Sequence, residues 1–191
     1  MSGPERLDSR GAWEATAALP DQLGDALADA ERAWADIASP PAVDAIVVLG
    51  TGTDALAGDA VAALTATRSP VPVLVPSTRG LPAFVGPRSL VVAVSSSGQD
   101  ADTTANAGAA LGRGSRAVVV AADGPLSSLA VEAGVPWCPL AAGEAPRTLF
   151  GAAVVSVLAA LARYGVVPDC GPSVTSAAAA LRRRHDAFAA P

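Results

Sequence analysis

Three short stretches of this chain, "DAIVVLG" (44–50), "SLVVAVS" (89–95) and "RAVVVAA" (116–122), are continuously apolar between their ends. A strand wetted on one face alternates apolar and polar residues, so a strand that is apolar throughout must be covered on both faces. Helices supply such cover. Two more runs of strand length, "VPVLVP" (71–76) and "VPWCPL" (135–140), complete a set of five. Helical segments lie between and after them: 53–66, with Leu56, Ala60 and Leu64 on one face; about 101–113; 125–134, ending at Gly134; and 146–165, which starts with proline and ends with glycine as helices prefer. The alternation predicts an α/β fold, a five-stranded parallel sheet in three layers with the flavodoxin-like strand order 2-1-3-4-5. Helices at 11–38, where Trp13, Leu19, Leu23, Leu27, Ala30 and Trp34 recur at helical spacing, and at about 173–188 flank it. The pair Pro40–Pro41 ends the first of these. No internal repeat, low-complexity tail or long linker interrupts the pattern, so residues 1–191 read as a single domain with its core at 44–165.

Half the chain is apolar but only 4% is aromatic, so the core must be built from Val, Leu and Ala, and helices can cross closely. Trp13, Trp34 and Trp137 read as core or interface packing. The net charge of −5 excludes nucleic acid, which demands basic patches. The one basic run, Arg182–Arg184, suits the solvated end of a helix. No signal-peptide core and no run of membrane-spanning length is present, and the chain reads as soluble and cytoplasmic. Cys138 and Cys170 lack metal-ligand spacing and read as buried thiols of a reducing compartment; with His185 the single histidine, no metal and no cofactor are expected.

In a sheet of this order, ligands bind beyond the carboxyl ends of the first and third strands. The turns there are "GTGTDALAG" (50–58) and "SSSGQDADTT" (95–104). Both carry glycine and enter helices, whose first N–H groups offer donors to an anion. Gly50, Gly52 and Ala55 also fit a weak dinucleotide spacing, but the second strand ends "VPSTRG", with Arg79 and no acid for a ribose. No G-x-S-x-G nucleophile elbow is present.

The succession "VVLGTGTDALAGD", "VPVLV", "LPAFVGPRSLVVAVSSSGQDADTT", "RAVVVAADGPLSSLAVEAGVPWCPL" and "APRTLFGAAVVSVLAAL" resembles the sugar-isomerase (SIS) domain over roughly residues 44–165. It most resembles the first half of the bifunctional phosphoglucose/phosphomannose isomerases. The resemblance implies a hexose phosphate bound at the two turns. Gly50, Thr51, Gly52, Thr53 and Asp54 then take the places of the first binding turn, and Ser95, Ser97, Gly98, Gln99 and Asp100 those of the second. Ser95 and Ser97 would donate to the phosphate, and Arg147 would stabilise charge on the sugar. It also implies pairing, with a second copy or a second SIS half.

Two departures from the family pattern follow. Asp54 and Asp100 stand where the family has phosphate-binding hydroxyls, and each like-charge contact at 4 Å costs roughly 4 kcal/mol at an effective dielectric of about 20. Either the two acids cap helix N–H groups as a built-in anion, or they hold a cation, with Asp59 a third ligand for Mg²⁺. Secondly, aldose–ketose isomerisation needs a base, and in the family the base Glu and a ring-opening His come from the second half. Glu144, just before "APR", is the local candidate base, or else a simple loop acid. Two functions are therefore expected: a carbohydrate-binding, isomerase-like protein inactive as this chain alone, or a non-catalytic SIS-fold protein acting in regulation or assembly.

Overall fold

A computed structural model of the chain describes residues 11–37, 42–77, 80–141 and 146–189. The five strands are β1 (Ala45–Leu49), β2 (Val73–Leu74), β3 (Ser89–Ser95), β4 (Arg116–Ala121) and β5 (Trp137–Pro139). They form one parallel sheet in the order β2-β1-β3-β4-β5, with Val47 beside Val91 and Val92 beside Val118. The helices are α1 (Ala12–Ala17), α2 (Leu19–Ala33), α3 (Thr53–Thr65), α4 (Ala101–Gly112), α5 (Pro125–Ala133), α6 (Phe150–Arg163) and α7 (Gly171–Ala189). The α/β architecture and strand order are those expected.

The three apolar runs are the three central strands, and every residue of β1 and β3 is buried. Period-two alternation divides them between two cores. Ile46, Val48, Leu90, Val92, Val94, Val118 and Val120 face α2, α3, α6 and α7. Val47, Leu49, Val91, Ala93, Val119 and Ala121 face α4 and α5. The small residues do allow close crossing of helices: a Cβ on Gly151 of α6 would lie 2.7 Å from a Leu19 methyl of α2. Arg163, at the end of α6, donates to the carbonyls of Trp34, Ala35 and Ile37, tying α6 to the end of α2.

Several details differ from expectation. The edge strands shrink to 73–74 and 137–139, and β2 is only half covered. Prolines 70, 72, 76, 136 and 139 explain this, since a residue without N–H cannot extend the ladder. The first helical region breaks at Ala18, leaving Trp13 68% exposed while Trp34 is buried. On α3 the buried positions are Asp54, Ala57, Gly58, Val61 and Thr65, so the face carrying Leu56 and Leu64 is turned outward, each being 58% exposed. Pro40, Pro41 and Arg79 lie outside the described residues.

Candidate functional site

The two turns lie side by side because β1 and β3 are neighbours in register, with β2 on the far side of β1 and β4 on the far side of β3. Gly98 is fixed by this packing. Its φ is 67°, and a Cβ there would stand 2.5 Å from the carbonyl oxygens of Ala122 and Asp123 in the turn after β4. Ser95 O accepts hydrogen bonds from the N–H groups of Gly98 and Ala122, so the ends of β3 and β4 are locked together.

The aspartates join the turns by crossed hydrogen bonds. Asp54, in the first turn of α3, sends its carboxylate across to β3's turn, where it accepts from the Ser96 N–H at 3.0 Å and from the Ser96 hydroxyl. Asp100, in the second turn, accepts from the Thr51 hydroxyl of the first turn at 2.6 Å. Asp100 is also the N-cap of α4, accepting from the Thr103 N–H at 2.6 Å. Partial burial pushes the Asp100 pKa up, but hydrogen bonds from Thr51 and Thr103 outweigh it and hold the carboxyl below its ordinary value.

Of the two fates considered for these acids, capping holds for Asp100 alone. Asp54 is buried and caps the neighbouring turn, not its own helix. Among the described residues no three acidic, histidine or cysteine side chains gather as a cation site would need, so Asp54, Asp59 and Asp100 do not form one.

A cleft of about 380 Å³ opens beside the crossing, lined by Gly50, Thr51 and Gly52, by Ser77 after β2, and by Asp102 and Asn106 of α4. Gly50 and Gly52 thus line it, and Thr53 stands next to them as the first residue of α3. Ser95 is wholly buried at the end of β3, and its hydroxyl has no partner among the described residues. The Ser97 hydroxyl is exposed and accepts from the Gln99 N–H at 3.2 Å. Arg147 is exposed in a 3-10 turn at Pro146–Leu149 and does not line the cleft. Glu144 lies outside the described residues. His185 is on α7, which packs against α2.

Sequence reasoning alone does not single out Ser96 or Asn106. Strand alternation offers a signal for the first: consecutive serines at a strand end point to opposite sides of the sheet. Arg88, in the "GPRS" block, proves to be structural. It forms a bidentate pair with Asp44, both contacts 2.5 Å, at the opposite end of the sheet from the turns. Cys138 and Cys170 are free and buried; burial pushes the Cys138 thiol up to about 11. No described helix is long and apolar enough to cross a membrane.

No family model matches the chain. The bifunctional phosphoglucose/phosphomannose isomerase of Caldicellulosiruptor bescii is 24% identical over 155 residues, 81% of this chain and 45% of that protein. A hypothetical protein from Thermus thermophilus superposes with a TM-score of 0.64 and 24% identity, over 97% of this chain and 46% of that one. The C-terminal domain of glucosamine-fructose-6-phosphate aminotransferase from Francisella tularensis gives 0.63 at 15% identity, over 91% and 54%. The Vibrio vulnificus NanR protein complexed with ManNAc-6P gives 0.59 at 20% identity, over 97% and 72%. This chain therefore spans less than half of the curated relative and about half of two of these three structures. The fold is of the SIS type, and the resemblance to the bifunctional isomerases read from the sequence is borne out.

Proposed function

From a chain with the sugar-isomerase fold, we propose a protein that binds a carbohydrate derivative in the cleft at Gly50–Gly52 without gripping it by a phosphate. The crossed hydrogen bonds carry this reading. Two donors of a phosphate cradle, the Thr51 hydroxyl and the Ser96 N–H, are already given to Asp100 and Asp54. A phosphate dianion arriving there would have to displace two carboxylates or sit beside them, at roughly 4 kcal/mol per like-charge contact at 4 Å. That exceeds what a few neutral hydrogen bonds return. The sugar class itself is supported by the isomerase relative and by a structural neighbour solved with ManNAc-6P. Gly50, Gly52 and Thr53 let the ligand approach the backbone, and Ser97, Gly98 and Arg147 border the second turn and the start of α6.

As this chain alone the protein does not turn over hexose phosphates. A second reading, a non-catalytic role in regulation or assembly, is favoured by the same crossing, because it stitches the two turns into a scaffold that needs no ligand to hold it.

Calorimetry with fructose 6-phosphate tests the proposal. The native chain is expected to bind it no better than fructose, and the Asp54→Ser, Asp100→Thr double variant to bind it on the order of a thousandfold more tightly than the native chain. Micromolar binding by the native chain, or conversion of glucose 6-phosphate to fructose 6-phosphate in a coupled assay, would overturn it.

A further inference from the structure

One wall of the cleft at Gly50–Gly52 belongs to α4, and two of its side chains stand there together. Asp102 and Asn106 both line the cleft. Residues four apart on a helix share a face, with about 5–6 Å between their Cβ atoms. The remaining polar side chains of the lining include those of Thr51 and Ser77, and Leu49, Ala55 and Pro76 supply apolar surface. A few polar groups set among apolar ones are what a small-ligand site needs to fix an orientation.

Asn106 is the residue that its helix does not explain. The sequence of α4, "ADTTANAGAALG", is rich in alanine, and asparagine is a poorer helix former than any alanine around it. It stands mid-helix, where it caps neither end. Half-buried in the cleft wall, its amide has no hydrogen-bond partner among the described residues. Asp102 does have a local reason for its place, since an acid in the first turn suits the helix dipole. It also takes part in an interaction of its own. A carboxylate offers about four acceptor sites, however, so capacity for a ligand remains.

The two side chains are complementary to a pair of adjacent hydroxyls. A carboxylate accepts only, whereas an amide both donates and accepts. One hydroxyl can donate to Asp102 while its neighbour exchanges hydrogen bonds with Asn106. Asp102 is also the only charged side chain among the described residues of the lining, so an anionic ligand meets like charge there and no counter-charge.

We propose that Asp102 and Asn106 grip a vicinal diol of an uncharged sugar, and that Asp102 turns away sugar acids. This depends on the cleft being where the sugar binds, and adds the charge of the ligand and the residues that select it.

Calorimetry on the full chain tests it, with D-fructose, D-mannose and D-glucuronate as probes and circular dichroism to confirm folding of each variant. The native chain is expected to bind at least one of the two neutral sugars and not glucuronate. Asn106→Ala and Asp102→Asn are each expected to weaken neutral-sugar binding on the order of tenfold. Asp102→Asn is also expected to admit glucuronate about as well as the neutral sugar, a gain that damage to the fold would not produce. Three results overturn the inference and leave the cleft reading standing: neutral-sugar binding unchanged in both variants, glucuronate bound by the native chain as tightly as the neutral sugar, or glucuronate still unbound by Asp102→Asn. A folded native chain that binds none of the three probes overturns the cleft reading and this inference with it.

Discussion

Asp54 and Asp100 occupy equivalent places, each at the start of a helix that follows a central strand, yet they are held by different physics. Asp100 is half-exposed and satisfies its own helix, with Thr51 as an added donor. Asp54 is buried, leaves its own helix unserved, and commits both oxygens to one residue, Ser96, 42 positions away. The first is a local cap that happens to reach across; the second is a tertiary bond that happens to start a helix. The two should therefore fail differently when removed.

The largest effect is expected at Asp54. Asp54→Ala leaves the Ser96 N–H and hydroxyl without an acceptor in a buried place, and hydrogen bonds to charged groups contribute about 1.5–3 kcal/mol each. A loss of about 3 kcal/mol is expected, which for a chain of this size lowers Tm by about 6–12 °C. Thermal unfolding followed by circular dichroism measures it. Asp54→Asn keeps one acceptor and should lose less than half as much. If the two variants unfold alike, the bond to Ser96 is not what Asp54 supplies, and the contrast with Asp100 collapses.

Ser96→Ala comes next. It removes the hydroxyl but keeps the N–H bond to Asp54, so about 1–2 kcal/mol is expected. A double-mutant cycle with Asp54→Ala should show strong coupling between the pair. The same cycle between Asp54 and Asp100 should be near additive if each acid serves its own partner.

What can be read in the sequence follows the range of the interaction. The three apolar runs mark the buried strands, and their alternation with helices marks the parallel sheet, because burial on two faces shows in each run by itself. Asp100 as an N-cap is equally local: an acid three residues before Thr103, ahead of an alanine-rich helix. The bond from Asp54 to Ser96 is not local. It depends on β1 and β3 being neighbours in register, and nothing in "GTGTDALAG" distinguishes an aspartate that caps from one that reaches across. The outward leucines of α3 are hidden for a related reason. Alanine and glycine at 57 and 58 take the buried side, because Gly58 lies against Val48 where a larger residue would clash, so the largest apolar residues are left for the surface. Periodicity marks a face, but close approach decides which face turns inward.

The smallest effects are expected at Asp100, and pH gives the sharper reading there. Asp100→Ala removes an N-cap, worth about 1 kcal/mol. Asp100→Asn keeps the cap, since Asn serves almost as well, and loses only the negative charge that Thr51 and Thr103 bind. The native carboxyl has its pKa lowered on folding. Its charged form therefore contributes stability that is present above the unfolded value of about 3.9 and is lost as pH falls through the lower folded value. Tm of the native chain should exceed that of Asp100→Asn at neutral pH, and the gap should close only in the acid limb, below about pH 4. A gap that closes already between about pH 5 and 7 would mean that a group other than Asp100 carries the difference. A gap that persists unchanged to the most acid folded state would mean that the geometry of the Thr51 bond, not its charge, distinguishes aspartate from asparagine at this crossing.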